Sequence, residues 1–307
     1  MRSIVACIAN FSEGRNRAVI NQIISAIQSV PGVKILQFSM DKDHHRTVIT
    51  FVGEKDTIGE SAVRATQKAT ELINLTQHSG VHPRIGSTDV VPFVPISNVT
   101  MDDCINIAHK VGKQIYQRLS IPVYFYEAAA KQTRRRQLEH IRRGQFEELQ
   151  VKVRTDASRL PDFGKSRLHP TAGATAVGAR TFLIAYNIIL NSSDILIAKK
   201  IATFIRFSSG GLPCLKAIGV NLKTKKKVQV SMNLTNFKVT SMEQVFNQVF
   251  YEANLLKTTI AYSEIIGLVP RKALTKNLAS SLKIKFFHQN LIFENCLRRI
   301  LETTNKV

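Results

Sequence analysis

A chain of 307 residues, 44% hydrophobic and 21% charged, is long enough for a sizeable core and two domains or subdomains, and its composition excludes disorder. No run of eighteen apolar residues offers a membrane span, and Cys7, Cys104, Cys214 and Cys296 stand too far apart for a CxxC zinc pair or a disulfide framework, which suits a reducing, cytoplasmic setting. The net charge of +21 attracts anions, but its dense clusters (Arg134, Arg135 and Arg136 with Arg142 and Arg143, and the lysines of 223–227) lack interleaved aromatics, so nucleic acid is not an expected partner.

Hydrophobic periodicity predicts alternating strands and helices. Residues 3–9 read as a strand rather than a signal peptide, because the apolar stretch reaches polar residues by Asn10. Asn16 then caps a helix with a stripe of Val19, Ile20, Ile23, Ile24 and Ile27, ended by Pro31 and Gly32. Residues 33–40 and 45–52 are strands, and Asp56 opens a helix with Ala62, Ala65, Ala69, Leu72 and Ile73 on one face. A polar segment, 78–89, leads into a buried strand over 90–96. Thr100 and Asp103 resemble a capping box for a helix running to Leu119, and 121–126 is a further strand. Residues 144–179 are rich in Gly, Pro, Asp, Ser and Thr and read as a linker.

The alternation then restarts. Residues 182–190 form a strand, and Ser193 caps a helix carrying Ile197, Ile201, Phe204 and Ile205. Leu215–Leu222 and 227–235 make a hairpin, and a Thr240–Glu243 capping box opens a helix with Val245, Phe246, Val249, Ala253 and Leu256. Residues 264–269 are the last strand, and the basic tail from Lys276 is expected to hold a helix near 290–301. Both halves read strand-helix-strand-strand-helix-strand. The expected fold is therefore α+β: two ferredoxin-like (split βαβ) subdomains, 1–180 including the linker and 181–275, with a ligand groove between them and a tail over 276–307.

Segment 78–89 gathers His78, Gly80, His82, Pro83, Arg84, Gly86 and Asp89 immediately before a buried strand, where clefts are usually built. A neutral imidazole can take and return a proton near pH 7, and Pro83 fixes the backbone beside His82. A lone loop histidine is more often structural than catalytic, so His82 needs support from the rest of the chain.

That support is a resemblance. The runs NFSEG (10–14), HHRTVITFVG (44–53), GVHPRIG (80–86), PDFG (161–164), GATAVGAR (173–180), FLIAYN (182–187), SSGG (208–211), KAIG (216–219), QVSMN (229–233) and GLVP (267–270) follow one another in register. Together they resemble the glutamate formiminotransferase family, the first module of formiminotransferase-cyclodeaminase, over about residues 3–275. The resemblance implies two ferredoxin-like subdomains, a homodimer, and transfer of the formimino group from N-formimino-L-glutamate to N5 of tetrahydrofolate, giving 5-formiminotetrahydrofolate and glutamate. Tetrahydrofolate, polyglutamylated or not, would be a co-substrate, and neither a metal nor an electron-sink cofactor is needed. The cyclodeaminase module is not expected, since the sequence ends at Val307. His82 takes the place of the family's catalytic histidine, as general acid/base. The folate stretch maps onto Phe163, Gly164, Lys165, Ser166, Arg167, Leu168, His169, Pro170, Thr171 and Ala172, and substrate contacts onto Asp41, His45, Arg46, Arg84 and Asp89. Arg46 and Arg84 suit carboxylates, although either could instead be a structural ion pair. The chain departs from the family at Val81, usually Glu, at His45, often Asn, at Ala9, commonly Pro, and at Ser39, Asp in some members. Two other readings use the same residues: formyl transfer between 5-formyltetrahydrofolate and glutamate, and a non-catalytic folate-binding homologue.

Overall fold

The β-branched runs of the first half pair into one mixed sheet. In the computed structural model, which describes residues 3–304, the first unit runs to Arg180 and the second begins at Thr181. Residues 1–2 of the expected first region and 305–307 of the expected tail lie outside the described residues. The first unit contains β1 (Ile4–Phe11), α1 (Arg17–Gln28), β2 (Lys34–Asp41), β3 (Arg46–Gly53), α2 (Ile58–Leu72), β4 (Thr88–Ser97), α3 (Met101–Leu119), β5 (Val123–Glu127), α4 (Leu138–Arg142), α5 (Gln145–Thr155) and β6 (Thr175–Ala179). Its strand order is β2-β3-β1-β4-β6-β5. β1 runs antiparallel to β3 and β4, while β6 runs parallel to both β4 and β5.

The helices start where the local chemistry supplies a cap. The Asn16 side chain accepts the amides of Ala18 and Val19, and Ile20, Ile23 and Ile27 on the same helix are fully buried. Each such side chain contributes roughly 1.5–3 kcal/mol by leaving water. The Thr100–Asp103 box opens α3 with both reciprocal hydrogen bonds formed. α2 starts at Ile58 after Thr57, two residues beyond the expected Asp56, and buries Ala62, Ala65 and Ala69.

The segment read as a linker, 144–179, differs from that expectation. It carries α5, which buries Phe146, Leu149 and Val153, and then β6, buried throughout between β4 and β5. Its small residues imitate loop composition. They are small because the strand is crowded: a Cβ on Gly178 would stand 2.6 Å from the Tyr126 ring.

The second unit contains β7 (Ile184–Leu190), α6 (Ile195–Ile205), β8 (Leu215–Leu222), β9 (Lys227–Leu234), α7 (Met242–Leu255), β10 (Ile260–Ile266), α8 (Lys276–Ser281) and α9 (Phe293–Thr304). Its antiparallel sheet has the order β10-β7-β9-β8. Some boundaries shift for local reasons. Asp194, not Ser193, caps α6. The Thr240 hydroxyl donates to the Pro213 carbonyl, which leaves the α7 capping box to Ser241 and Gln244. β10 lies earlier than 264–269 because it pairs with β7 from Ile260, and Gly267 at φ +82° then turns the chain. The tail packs into the second core through Ala279, Leu282, Leu291 and Ile292. Among the described residues, no helix is long and apolar enough to cross a membrane.

Candidate active site

β1 ends where β3 and β4 begin. Phe11 is paired with Thr47 on one side and Thr88 on the other, and Asp41 at the end of β2 is paired with Arg46. The residues beyond these ends therefore converge. Ser12 follows β1, His44 and His45 form the β2–β3 turn, Arg46 opens β3 and Asp89 is the second residue of β4. The loop before β4 folds over the same end and adds His78, His82 and Arg84, so that these eight residues line one small concavity. Their side chains fill it, leaving no space the size of a water. Gly80 lets the loop come this close: a Cβ there would stand 2.4 Å from the His44 carbonyl oxygen and 2.7 Å from His45 Cβ.

The four imidazoles have different surroundings. Arg46 Nη1 lies 2.9 Å from His82 Nε2 and 3.4 Å from Nδ1. Burial and the guanidinium charges of Arg46 and Arg142 hold His82 well below the usual imidazole range, so the ring is neutral at pH 7. Burial and the Arg142 charge likewise lower Arg46 to about 10, against the pull of Asp41 and Asp89. His78 is fully engaged: its Nε2 donates to the His45 carbonyl at 2.9 Å and its Nδ1 accepts from Arg84 Nε at 3.0 Å. Burial pushes it to about 4, opposed by that carbonyl and aided by Arg84 and Arg15. His45 stacks on His78 with centroids 4.2 Å apart, and its two nitrogens face the Ser79 carbonyl and the Glu13 carboxylate at 3.1 and 3.2 Å. Burial raises Glu13, but the bonds from His45 and from the Asn16 and Arg15 amides outweigh it and hold the carboxyl at about 2. His44 is 3% exposed and lies 2.9 Å from Asp41 through its Nδ1.

The expected carboxylate partners separate into two kinds. Arg84, 6% exposed, forks onto both oxygens of Glu147 at 2.8 and 2.5 Å and also reaches Gln145 at 3.1 Å. This is the structural ion pair that the sequence left open. Arg46 meets His82 instead, and its guanidinium forms no ion pair with a carboxylate among the described residues. Asp89, 2% exposed, accepts the Ile85 amide at 2.8 Å and an Arg142 N–H, and so braces the loop that carries His82. Asp41 accepts the His44 amide at 2.8 Å. Sequence reasoning missed Ser12, Glu13, Arg142 and Glu147. Glu13 lay inside the NFSEG run, whereas nothing in the spacing ties Arg142 to Asp89 or Glu147 to Arg84.

None of the residues of the expected folate stretch lines the concavity, but its two ends are anchored in the first unit. Phe163 pairs with Val123 through its backbone and meets the Phe125 ring edge-on at 5.7 Å, with the Lys131 ammonium 4.9 Å above it. Gly164, Lys165, Ser166, Arg167 and Pro170 are exposed, while Leu168 is buried. His169 is lowered by burial and accepts the Ala172 amide at 3.0 Å. The Thr171 carbonyl accepts from Leu75, and that of Ala172 accepts from Ser87, which ties the stretch to both ends of the His82 loop.

A sheet end crowded with imidazole, guanidinium and carboxylate groups has the chemistry to exchange protons and to attract anions. Comparison with known proteins gives its family. The "Formiminotransferase domain, N-terminal subdomain" matches residues 4–180 and the "Formiminotransferase domain" matches 185–291, so the chain belongs to the formiminotransferase family. It is 43% identical to a glutamate formimidoyltransferase of Streptococcus pyogenes serotype M1, over 97% of this chain and 99% of that one. A glutamate formimidoyltransferase of Thermoplasma acidophilum is 42% identical over 97% of this chain and 98% of its own. A formimidoyltransferase-cyclodeaminase of Dictyostelium discoideum is 41% identical over 89% of this chain, which matches 52% of that longer protein.

Proposed function

We propose that the chain transfers the formimino group from N-formimino-L-glutamate to N5 of tetrahydrofolate, with His82 as the group that takes the N5 proton. The observation that carries this reading is a single one: the His82 ring lines a concavity at a sheet end, with Arg46 Nη1 2.9 Å from its Nε2. The end-to-end match with two glutamate formimidoyltransferases supports the same reaction. N5 attacks the formimino carbon, the tetrahedral intermediate loses the N5 proton to His82, and the C–N bond to glutamate breaks as the glutamate nitrogen gains a proton. Holding both substrates together supplies much of the remaining acceleration.

Arg46 links binding to chemistry in this scheme. A substrate carboxylate would draw its guanidinium off His82, opening the concavity and restoring the basicity of the ring. His45 and Asp89 line the concavity, Asp41 braces His44 behind it, and Arg84 positions the His82 loop through Glu147. Phe163 to Ala172 forms the folate side, with Lys165 and Arg167 exposed toward acidic folate tails. A homodimer in the cytoplasm, with each unit a split βαβ fold, completes the reading; the second unit's 4-1-3-2 strand order supports that fold.

Purified protein mixed with tetrahydrofolate and N-formimino-L-glutamate should form 5-formiminotetrahydrofolate, followed by absorbance. Turnover only with 5-formyltetrahydrofolate and glutamate would make it a formyl transferase. Saturable folate binding without turnover in either mixture would leave a binding homologue and overturn the enzyme reading.

A further inference from the structure

Transfer needs two opposite proton movements, and His82 is suited to one. A ring whose Nε2 already receives a guanidinium N–H, and which burial and two arginines keep neutral, is a base awaiting a proton rather than a donor. The glutamate nitrogen is a poor leaving group until it is protonated, so a second group has to supply that proton.

Resting on the transfer reading above, we propose that His44, carried by Asp41, is a second catalytic residue that donates the proton to the departing glutamate nitrogen. His44 lines the same concavity as His82, and the two ring centroids lie 6.2 Å apart with planes at 54°. It is 3% exposed, and its Nε2 is a buried polar atom without a hydrogen-bond partner among the described residues. Such an atom is costly unless a ligand completes it. On the other side of the ring, Nδ1 stands 2.9 Å from Asp41 Oδ2, close but off-line for a hydrogen bond, while the His44 amide donates to Asp41 Oδ1 at 2.8 Å. Catalytic hydrogen bonds are often misaligned without substrate and tighten when it binds. The Asp41 carboxylate lies behind Nδ1 and orients the ring, which leaves Nε2 as the atom for a ligand to meet.

The proton balance closes. N5 forms its bond to the formimino carbon and gives one proton to His82 Nε2. His44 Nε2 gives one proton to the glutamate nitrogen, and the C–N electron pair leaves with that nitrogen. His82 then holds an extra proton and His44 lacks one, and exchange with solvent after the products leave resets both.

The test exploits the leaving group. Turnover of wild type, His44→Gln and His82→Ala would be compared on N-formimino-L-glutamate and on the aryl donor 4-nitrophenyl formimidate, whose phenoxide leaves without a proton. His44→Gln should be roughly 10²–10⁴-fold slower than wild type on the glutamate donor and within about tenfold of it on the aryl donor, while His82→Ala should be slow on both. Imidazole added to His44→Gly should restore glutamate-donor turnover, which decides the question if wild type refuses the aryl donor. Equal slowing of His44→Gln on both donors, no slowing on either, or no imidazole rescue would overturn the assignment while the transfer reading stands. A wild type inactive on both donors would overturn the transfer reading itself.

Discussion

His82, His78 and Glu13 show how one crowded sheet end holds two imidazoles neutral and one carboxyl ionised. His78 is held at about 4 and Glu13 at about 2, each below its ordinary value. In both cases the unfolded chain binds more protons over the affected window, so stability rises with pH there. The contribution of His78 is full above about 6.5 and is lost as pH falls toward 4, whereas that of Glu13 is lost between about 4.5 and 2. The melting temperature should therefore fall as pH drops from 7 to 5, and His78→Gln should flatten that fall. Thermal unfolding of the two proteins across this range checks it; identical slopes would mean that His78 is not buried neutral. Arg84→Lys should also be costly, because one ammonium cannot reproduce the fork onto Glu147 together with the bond to His78. The expected loss in urea denaturation is about 1–3 kcal/mol.

Elements with strong periodicity were legible in the sequence, and crowded ones were not. The stripe of Ile20, Ile23 and Ile27 and the Thr100–Asp103 box announced α1 and α3 because caps and periodicity are local signals. β6 was hidden because Thr175, Ala176 and Gly178 are chosen for tight packing between β4 and β5, and small residues look like a loop when read in one dimension. The site followed the same divide. His82 and Arg46 lay in runs that resemble a family and Asp89 just beyond one, while Arg142 and Glu147 were invisible because their partners lie 53 and 63 residues away. The segment leading to the folate stretch depends on another long-range pair. Asp162 and Arg135 stand 2.8 Å apart, each 4% exposed, and Asp162 also accepts the Phe125 amide at 2.8 Å. Asp162→Ala leaves a buried guanidinium without its carboxylate and should cost about 3–5 kcal/mol. Urea unfolding measures it, and a loss under 1 kcal/mol would show that the pair is solvated.

The two units carry separate cores, and the site described belongs to the first. The second core is closed by the tail: Leu282, 1% exposed, and Ile292 are both part of it, and Val269 forms a backbone bridge to Ile292. Leu282→Ala should destabilise the protein by about 2–5 kcal/mol. Its unfolding should separate from that of the first unit if the cores melt independently, and calorimetry distinguishes one transition from two. The excess of 43 basic over 22 acidic residues attracts anions, and long-range attraction of this kind raises association rates at low salt.

The central claim is that His82 moves the proton in formimino transfer. It is tested most directly by kcat for His82→Ala with tetrahydrofolate and N-formimino-L-glutamate, with folate affinity measured alongside. The kcat is expected to fall by roughly 10²–10⁴-fold with folate binding within a few-fold of wild type. A kcat near wild type would contradict it.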